Sequence, residues 1–187
     1  MKTISHFLVI AAMVLPVLFM QGCKKSVENN SFSADSSVIQ TEETIGKAKV
    51  RHMSVDVQGR AVLDAILAAY SDNVVLIGFW ATWCPPCRQA MKEINEIKPE
   101  MISKGVTFVY VTGETSPMTE WREAIAEIEG DHYRLTDAQW ESMIAELNMP
   151  GIPAYHMVGK NGEVIFSNLT EGGYPGNEVI KAKLDGK

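Results

Sequence analysis

The chain has 187 residues, 46% of them hydrophobic and 21% charged, which suits one domain of ordinary size with length to spare. That balance excludes collagen-like, wholly disordered and multi-pass membrane classes. Seventeen Lys and Arg against twenty-three Asp and Glu give a net charge of −6 without a basic stripe, so no nucleic-acid partner is expected.

The first segment reads as an address. Lys2 supplies a positive charge, and Phe7 to Met20 is a run of fourteen residues with no charged side chain. About 20 apolar residues are needed to span a bilayer, and Pro16 weakens a helix further. A short apolar core followed by small residues is the pattern of a secretory signal, here residues 1–22. Cys23 follows Gly22 directly, which resembles the lipobox of bacterial lipoproteins, although Met20 and Gln21 stand where that motif usually has an aliphatic and a small residue. The resemblance implies lipidation of Cys23 and an anchor in a bacterial membrane without a spanning helix. Residues 23–50, rich in Ser, Asn, Asp, Glu and Thr, read as a flexible tether, and the domain is expected over 51–187.

Helix and strand then alternate. Ala61, Leu63, Ile66, Leu67 and Tyr70 fall at helical spacing. Val74 to Trp80 is a continuous apolar run, the mark of a strand buried on both faces. Pro85 and Pro86 open a helix over Cys84 to Lys104, since proline is tolerated in a first turn. Val106 to Thr112 reads as a second buried strand, Met118 to Glu129 as a helix and His132 to Leu135 as a short extended piece. Asp137 is the expected N-cap of a helix ending at Leu147. Ala154 to Val158 and Glu163 to Asn168 form a hairpin around Asn161-Gly162, and Asn177 to Leu184 closes the chain as a helix. The order predicts an α/β protein with a mixed central sheet flanked by helices.

The chemistry concentrates at Cys84 and Cys87. Two cysteines three apart at a helix start can form and reopen a disulfide. The first is expected to be the more exposed, with its thiolate favoured by the helix dipole, and the second is placed to resolve a mixed disulfide. A c-type haem site needs a histidine after the second cysteine, where Arg88 stands. A structural zinc site needs two further ligands, and His52, His132 and His156 are each isolated. A purely structural bridge and a Cu(I) metallochaperone using the same pair remain as rivals, soft thiolates being suited to Cu(I). No bound cofactor or metal is expected.

Phe79-Trp80-Ala81-Thr82-Trp83-Cys84-Pro85-Pro86-Cys87, with Gly151-Ile152-Pro153 beginning 64 residues after Cys87, resembles the thioredoxin-fold thiol–disulfide oxidoreductases. Within these it is similar to the membrane-tethered, extracytoplasmic TlpA/ResA-like group, from about Asp56 to the C-terminus. The resemblance implies a thioredoxin-like fold with a helix and strand inserted within Gly113 to Gln139. It implies Cys84 as nucleophile, Cys87 as resolving thiol, and Trp83, Pro85, Pro86, Ile152 and Pro153 as substrate contacts, Pro153 being cis. It also implies protein disulfides as substrates, the cysteines of apocytochrome c among them, and a membrane protein as electron donor.

Pro85 and Pro86 carry no N–H, so a Cys84 thiolate has fewer donors. Its pKa is then expected nearer the value of about 7 in thioredoxin than about 3.5 in DsbA, and its potential nearer about −270 mV than −120 mV. The pair reads as a reductase, with a net disulfide oxidase as the variant differing only in potential and partner. Three positions depart from the family pattern. Gly78 stands at the place of a buried acid or amide, Ala90 where several relatives carry Glu, and Lys92 where a proline commonly kinks the helix. Glu93, Glu114 and Glu171 are candidates for the missing proton transfer.

Overall fold

The computed structural model describes residues 38–186. Twelve elements follow in order: β1 (Ile39–Ile45), β2 (Ala48–Met53), α1 (Arg60–Ala68), β3 (Val74–Phe79), α2 (Pro85–Ser103), β4 (Val106–Gly113), α3 (Met118–Ile125), β5 (Gly130–Leu135), α4 (Asp137–Glu146), β6 (Ala154–Val158), β7 (Val164–Ser167) and α5 (Asn177–Asp185). The strands make one sheet in the order β1-β2-β5-β4-β3-β6-β7. β2, β5, β4 and β3 run parallel, while β1, β6 and β7 pair antiparallel to their neighbours.

Alternation along the strands sorts the core into two layers. Leu76, Phe108, Tyr110, Tyr155 and Met157 face α2, α3 and α5, where they pack with Met91, Ile94, Trp121, Ile125 and Ile180. Val75, Ile77, Phe79, Val109 and Val111 face α1 and α4 and pack with Val62, Leu63, Ile66 and Met143. The result is helices on both faces of a mixed sheet, a thioredoxin-like fold. The expected insertion within Gly113–Gln139 is α3 and β5, with β5 lying between β4 and β2.

Three boundaries differ from the sequence reading. Residues 39–50 do not continue the tether: they form β1 and the start of β2, so the sheet begins at Ile39 rather than at residue 51. The short alternation Ala48-Lys49-Val50-Arg51 buries Ala48 and Val50 and turns Lys49 outward. Arg51 then reaches Glu42 and Asp131, each at 3.3 Å, and joins β1 to β5 across β2. The cap of α4 is Thr136, not Asp137: Thr136 Oγ1 accepts from the Gln139 amide at 3.3 Å, and Gln139 Oε1 accepts from the Thr136 amide at 3.1 Å. β5 starts at Gly130, two residues ahead of His132. The signal segment 1–22, Cys23 and tether residues 24–37 lie outside the described residues.

Candidate active site

β3 ends at Phe79 and the chain turns through Trp80-Ala81-Thr82-Trp83 into α2. Each bend has a partner. Trp80 N–H donates to the Val111 carbonyl at 3.0 Å, and Cys84 N–H to Ala81 at 3.2 Å. Thr82 is held at both peptide groups: its N–H donates to Ser116 Oγ at 3.1 Å, and the Arg88 guanidinium donates to its carbonyl. Ser116 and Thr112, both fully buried, share a hydroxyl hydrogen bond of 2.8 Å, so the loop before α3 clamps the turn before α2.

That turn delivers Cys84 as the N-cap of α2, with Pro85 and Pro86 in the first two helical positions. Cys84 and Cys87 are joined by a disulfide, S–S 2.01 Å. The Cys87 amide donates to Cys84 Sγ at 3.2 Å. An N-cap side chain ordinarily accepts from the second or third helical amide, and Pro86 removes the first of these choices. Both sulfurs are covered, Cys84 at 3% exposure and Cys87 at none, so the expected order of exposure holds by a narrow margin. Trp83, by contrast, is 57% exposed beside them.

On the other side of the disulfide, the Ile152–Pro153 peptide bond is cis. Cys84 Sγ lies 3.9 Å from the Ile152 carbonyl oxygen, a contact rather than a hydrogen bond, because an oxidised sulfur has no proton to donate. Ile152 is half-buried, Pro153 buried, and Pro85 and Pro86 are exposed. The chain thus gathers Trp83, Cys84, Cys87 and Ile152 from segments 64 or more residues apart.

Gly78 has a steric reason. A Cβ there would meet Tyr155 Cε1 at 3.2 Å and Tyr110 Cδ1 at 3.6 Å, so two phenol rings occupy the space that an acid would need. Both rings belong to the packed cluster that holds the two cysteines, and burial raises both phenol pKa values well above the ordinary range. Tyr110 stacks on His132 at 4.9 Å, and Lys98 Nζ sits 5.0 Å from its ring centre. Tyr155 and His156 alternate as expected: Tyr155 faces the cysteine layer, and His156 pairs with Ile77 across the sheet. Ala90 packs within the cysteine cluster, and the proline in the interior of α2 is Pro99, seven residues after Lys92. Among the candidate carboxylates, Glu93 accepts from Gln89 at 3.1 Å, Glu114 pairs with Arg134 at 3.3 Å, and Glu171 is an exposed loop residue.

Next to the disulfide lies a cavity of about 190 Å³, lined by Trp83, Trp140, Ile144, Met149, Pro150 and Ile152. The sequence pointed to Trp83 and Ile152 only. Trp140 and Ile144 were not singled out; they fall on the helix predicted to end at Leu147, and their i,i+4 spacing is the signal that they share one face. Among the described residues, no group of three or more His, Cys, Asp or Glu is set to hold a metal ion, and no helix is long and apolar enough to cross a membrane.

A disulfide capping a helix, beside a cis-proline, on a thioredoxin-like sheet defines a thiol–disulfide oxidoreductase. The chain belongs to the Redoxin family, whose model matches residues 64–179. It is similar to the thiol-disulfide oxidoreductase ResA of Bacillus thuringiensis strain Al Hakam, 22% identical over 152 residues, which cover 81% of this chain and 83% of that protein. ResA of Geobacillus kaustophilus is 27% identical over 126 residues, 67% of this chain and 69% of the relative. Two solved structures share the fold. A DsbF homologue from Corynebacterium diphtheriae aligns with TM-score 0.53 at 17% identity, covering 65% of this chain and 76% of its own. A thiol:disulfide interchange protein from Bacteroides sp. aligns with TM-score 0.52 at 18% identity, covering 61% and 72%.

Proposed function

We propose that this oxidoreductase is a reductase of protein disulfides, working outside the cytoplasm and tethered to a bacterial membrane by a lipid on Cys23. The observation that carries the redox assignment is the Cys84–Cys87 disulfide at the start of α2, with the Ile152 carbonyl 3.9 Å from Cys84 Sγ. The signal-like segment and Cys23 support the location.

The Cys84 thiolate attacks one sulfur of a substrate disulfide. The other substrate sulfur leaves as a thiolate and takes a proton. Cys87 gives up its proton and attacks Cys84 Sγ, which releases the second substrate thiolate. Two electrons have passed to the substrate, and the Cys84–Cys87 disulfide is formed. The backbone at Ile152, beside Pro153, pairs with the substrate segment, while Trp83, Pro85 and Pro86 border it. A membrane thiol oxidoreductase returns two electrons to the pair, and no bound cofactor takes part. The substrates are proteins oxidised outside the cytoplasm, with apocytochrome c as the family precedent.

The scarcity of donors at Cys84 supports the reducing direction, since only a stabilised thiolate makes a strong oxidant. Equilibration with a thiol buffer of known potential tests it. A value near or below about −270 mV is expected, and one near −120 mV overturns the direction. The substitution Cys87→Ala is expected to accumulate mixed disulfides through Cys84. Their absence under non-reducing electrophoresis would remove the roles assigned to the two sulfurs.

A further inference from the structure

We infer that Asn168 is a positioning residue for the exchange reaction, its side-chain amide holding the backbone of residues 152–155 at the place where a substrate segment pairs beside Cys84. The inference rests on the disulfide-exchange reading above and names what fixes the geometry of its pairing edge.

β7 ends at Ser167, which lies opposite His156, so the ladder stops one residue short of Tyr155. Tyr155 is buried, and a buried backbone group without a partner is destabilising. Asn168 satisfies both of its peptide groups. The Asn168 N–H donates to the Tyr155 carbonyl at 3.1 Å, as the next strand residue would. Its own carbonyl has turned away to accept from Glu171 and Gly172, at 3.2 and 2.7 Å. The side-chain Oδ1 takes that place and accepts from the Tyr155 amide at 2.7 Å. Nδ2 donates to the carbonyls of Gly172 and Gly173 at 3.2 and 2.8 Å. These two glycines turn at φ 71° and 87°, a region glycine enters freely, and the turn brings the Gly173 N–H to the Pro153 carbonyl at 2.6 Å. One amide side chain therefore fixes Tyr155 directly and Pro153 through Gly173.

That hold reaches the chemistry through a single residue. Ile152 precedes Pro153, and its carbonyl lies 3.9 Å from Cys84 Sγ. The segment that Asn168 opens also reaches the helix bearing the sulfurs. Leu169 packs in the α1 and α4 layer and Tyr174 against the cysteine layer, so the segment crosses from one layer to the other. Tyr174 meets Tyr155 edge-on, with ring centres 5.6 Å apart, and hydrogen-bonds Asn177. Asn177 Nδ2 donates in turn to the Glu93 carbonyl of α2 at 2.9 Å. Loop and helix are held to each other through residues 168–177, and Asn168 is the grip on the loop side. A shift of about 1 Å at such a point can cost about 100-fold in rate, although no atom of Asn168 takes part in the exchange.

The test uses the full chain, reduced, in single turnovers with two disulfides. One is the disulfide-linked dimer of a short Gly- and Ala-rich peptide carrying one cysteine; the other is hydroxyethyl disulfide, which has no backbone to pair. Each turnover oxidises the Cys84 and Cys87 thiols to their disulfide and reduces the substrate disulfide to two thiols. The natural protein is expected to prefer the peptide, by second-order rate constant, about tenfold or more. In Asn168→Ala that ratio should fall about tenfold, because only the peptide uses the displaced backbone. Asn168→Asp keeps the shape and the acceptor for Tyr155 but loses both donations. Its ratio should fall as well, and it supplies the test where Asn168→Ala does not fold. A ratio unchanged in a folded variant, or equal losses on both disulfides, gives Asn168 a packing role only; either result overturns the inference and leaves the oxidoreductase intact. A natural protein without preference for the peptide removes the pairing at Ile152 and the inference with it. Failure to reduce either disulfide overturns the exchange reading itself.

Discussion

Cys84 accepts from the third amide of α2 and lacks the second, because Pro86 stands there. That missing N–H has a measurable consequence. In the disulfide the sulfur is neutral and gains little from a donor. In the reduced protein Cys84 is the thiolate, and a hydrogen bond to a charged acceptor is worth about 1.5–3 kcal/mol. The substitution Pro86→Ala returns an amide to the capping position. It should lower the Cys84 thiol pKa and stabilise the reduced pair. Since about 30 mV corresponds to 1.4 kcal/mol for this couple, the potential should rise by about 30–60 mV. Titration of thiolate absorbance and equilibration with a thiol buffer measure the two effects, which must move together; a changed potential with an unmoved pKa would point away from this donor. The cysteine spacing and the two prolines were readable in the sequence, because a helix start needs only local signals. What fills the space at Gly78 was not, since Tyr110 and Tyr155 arrive from strands far along the chain.

At the scale of elements, α4 carries one wall of the cavity, so its cap matters to the site. Thr136 and Gln139 satisfy each other's backbone amides, and Gln139, 2% exposed, also ties α4 to the segment after β2. Thr136→Ala should destabilise the protein by about 0.5–2 kcal/mol, a usual cost for a lost cap. Asp137→Ala removes only a favourable charge in the first turn and should cost about 0.3–1 kcal/mol. Urea midpoints at constant m-value compare the two, and a larger loss at Asp137 would contradict the observed cap. The ambiguity in the sequence is local: Thr136 and Asp137 are both good caps, and only the partner at Gln139 chooses between them. β1 and β2 were hidden for a different reason. Val50 and Ala48 are the buried positions of a short strand otherwise bearing Lys49, Arg51 and His52, too few to stand out from a polar tether. The buried strands β3 and β4 had no such difficulty, because apolar residues facing both layers leave a continuous run.

Across the whole molecule, buried titratable groups set how stability follows pH. His132 and His156 are pushed down to about 4, chiefly by burial, with Lys98 and Arg60 respectively adding repulsion. Lys98 is lowered to about 8 by burial, opposed by Glu129. Burial also lifts Tyr70, Tyr110 and Tyr155 far above their ordinary range, and Tyr133 to about 12. Each depressed base binds fewer protons folded than unfolded between its two pKa values, so stability rises with pH there. The imidazoles act from about pH 4 to 6.5, where stability should be lost as the solution is acidified. Lys98 acts between about pH 8 and 10.5. Below pH 8 its amine is charged in both states and contributes no slope, and above it the folded protein is spared a buried charge. Raised phenols act oppositely: above about pH 10 the unfolded chain loses protons that the folded one keeps, and stability falls. A dome with an alkaline shoulder follows, highest near pH 9–10 instead of near neutrality. Lys98→Met keeps an unbranched chain over Phe108 and Tyr110 and removes the titrating amine. Urea midpoints from pH 5 to 10 should therefore show the rise between pH 8 and 10 in the natural protein and lose it in Lys98→Met, while the fall below pH 6.5 is common to both. A shoulder that survives Lys98→Met would assign it to another group.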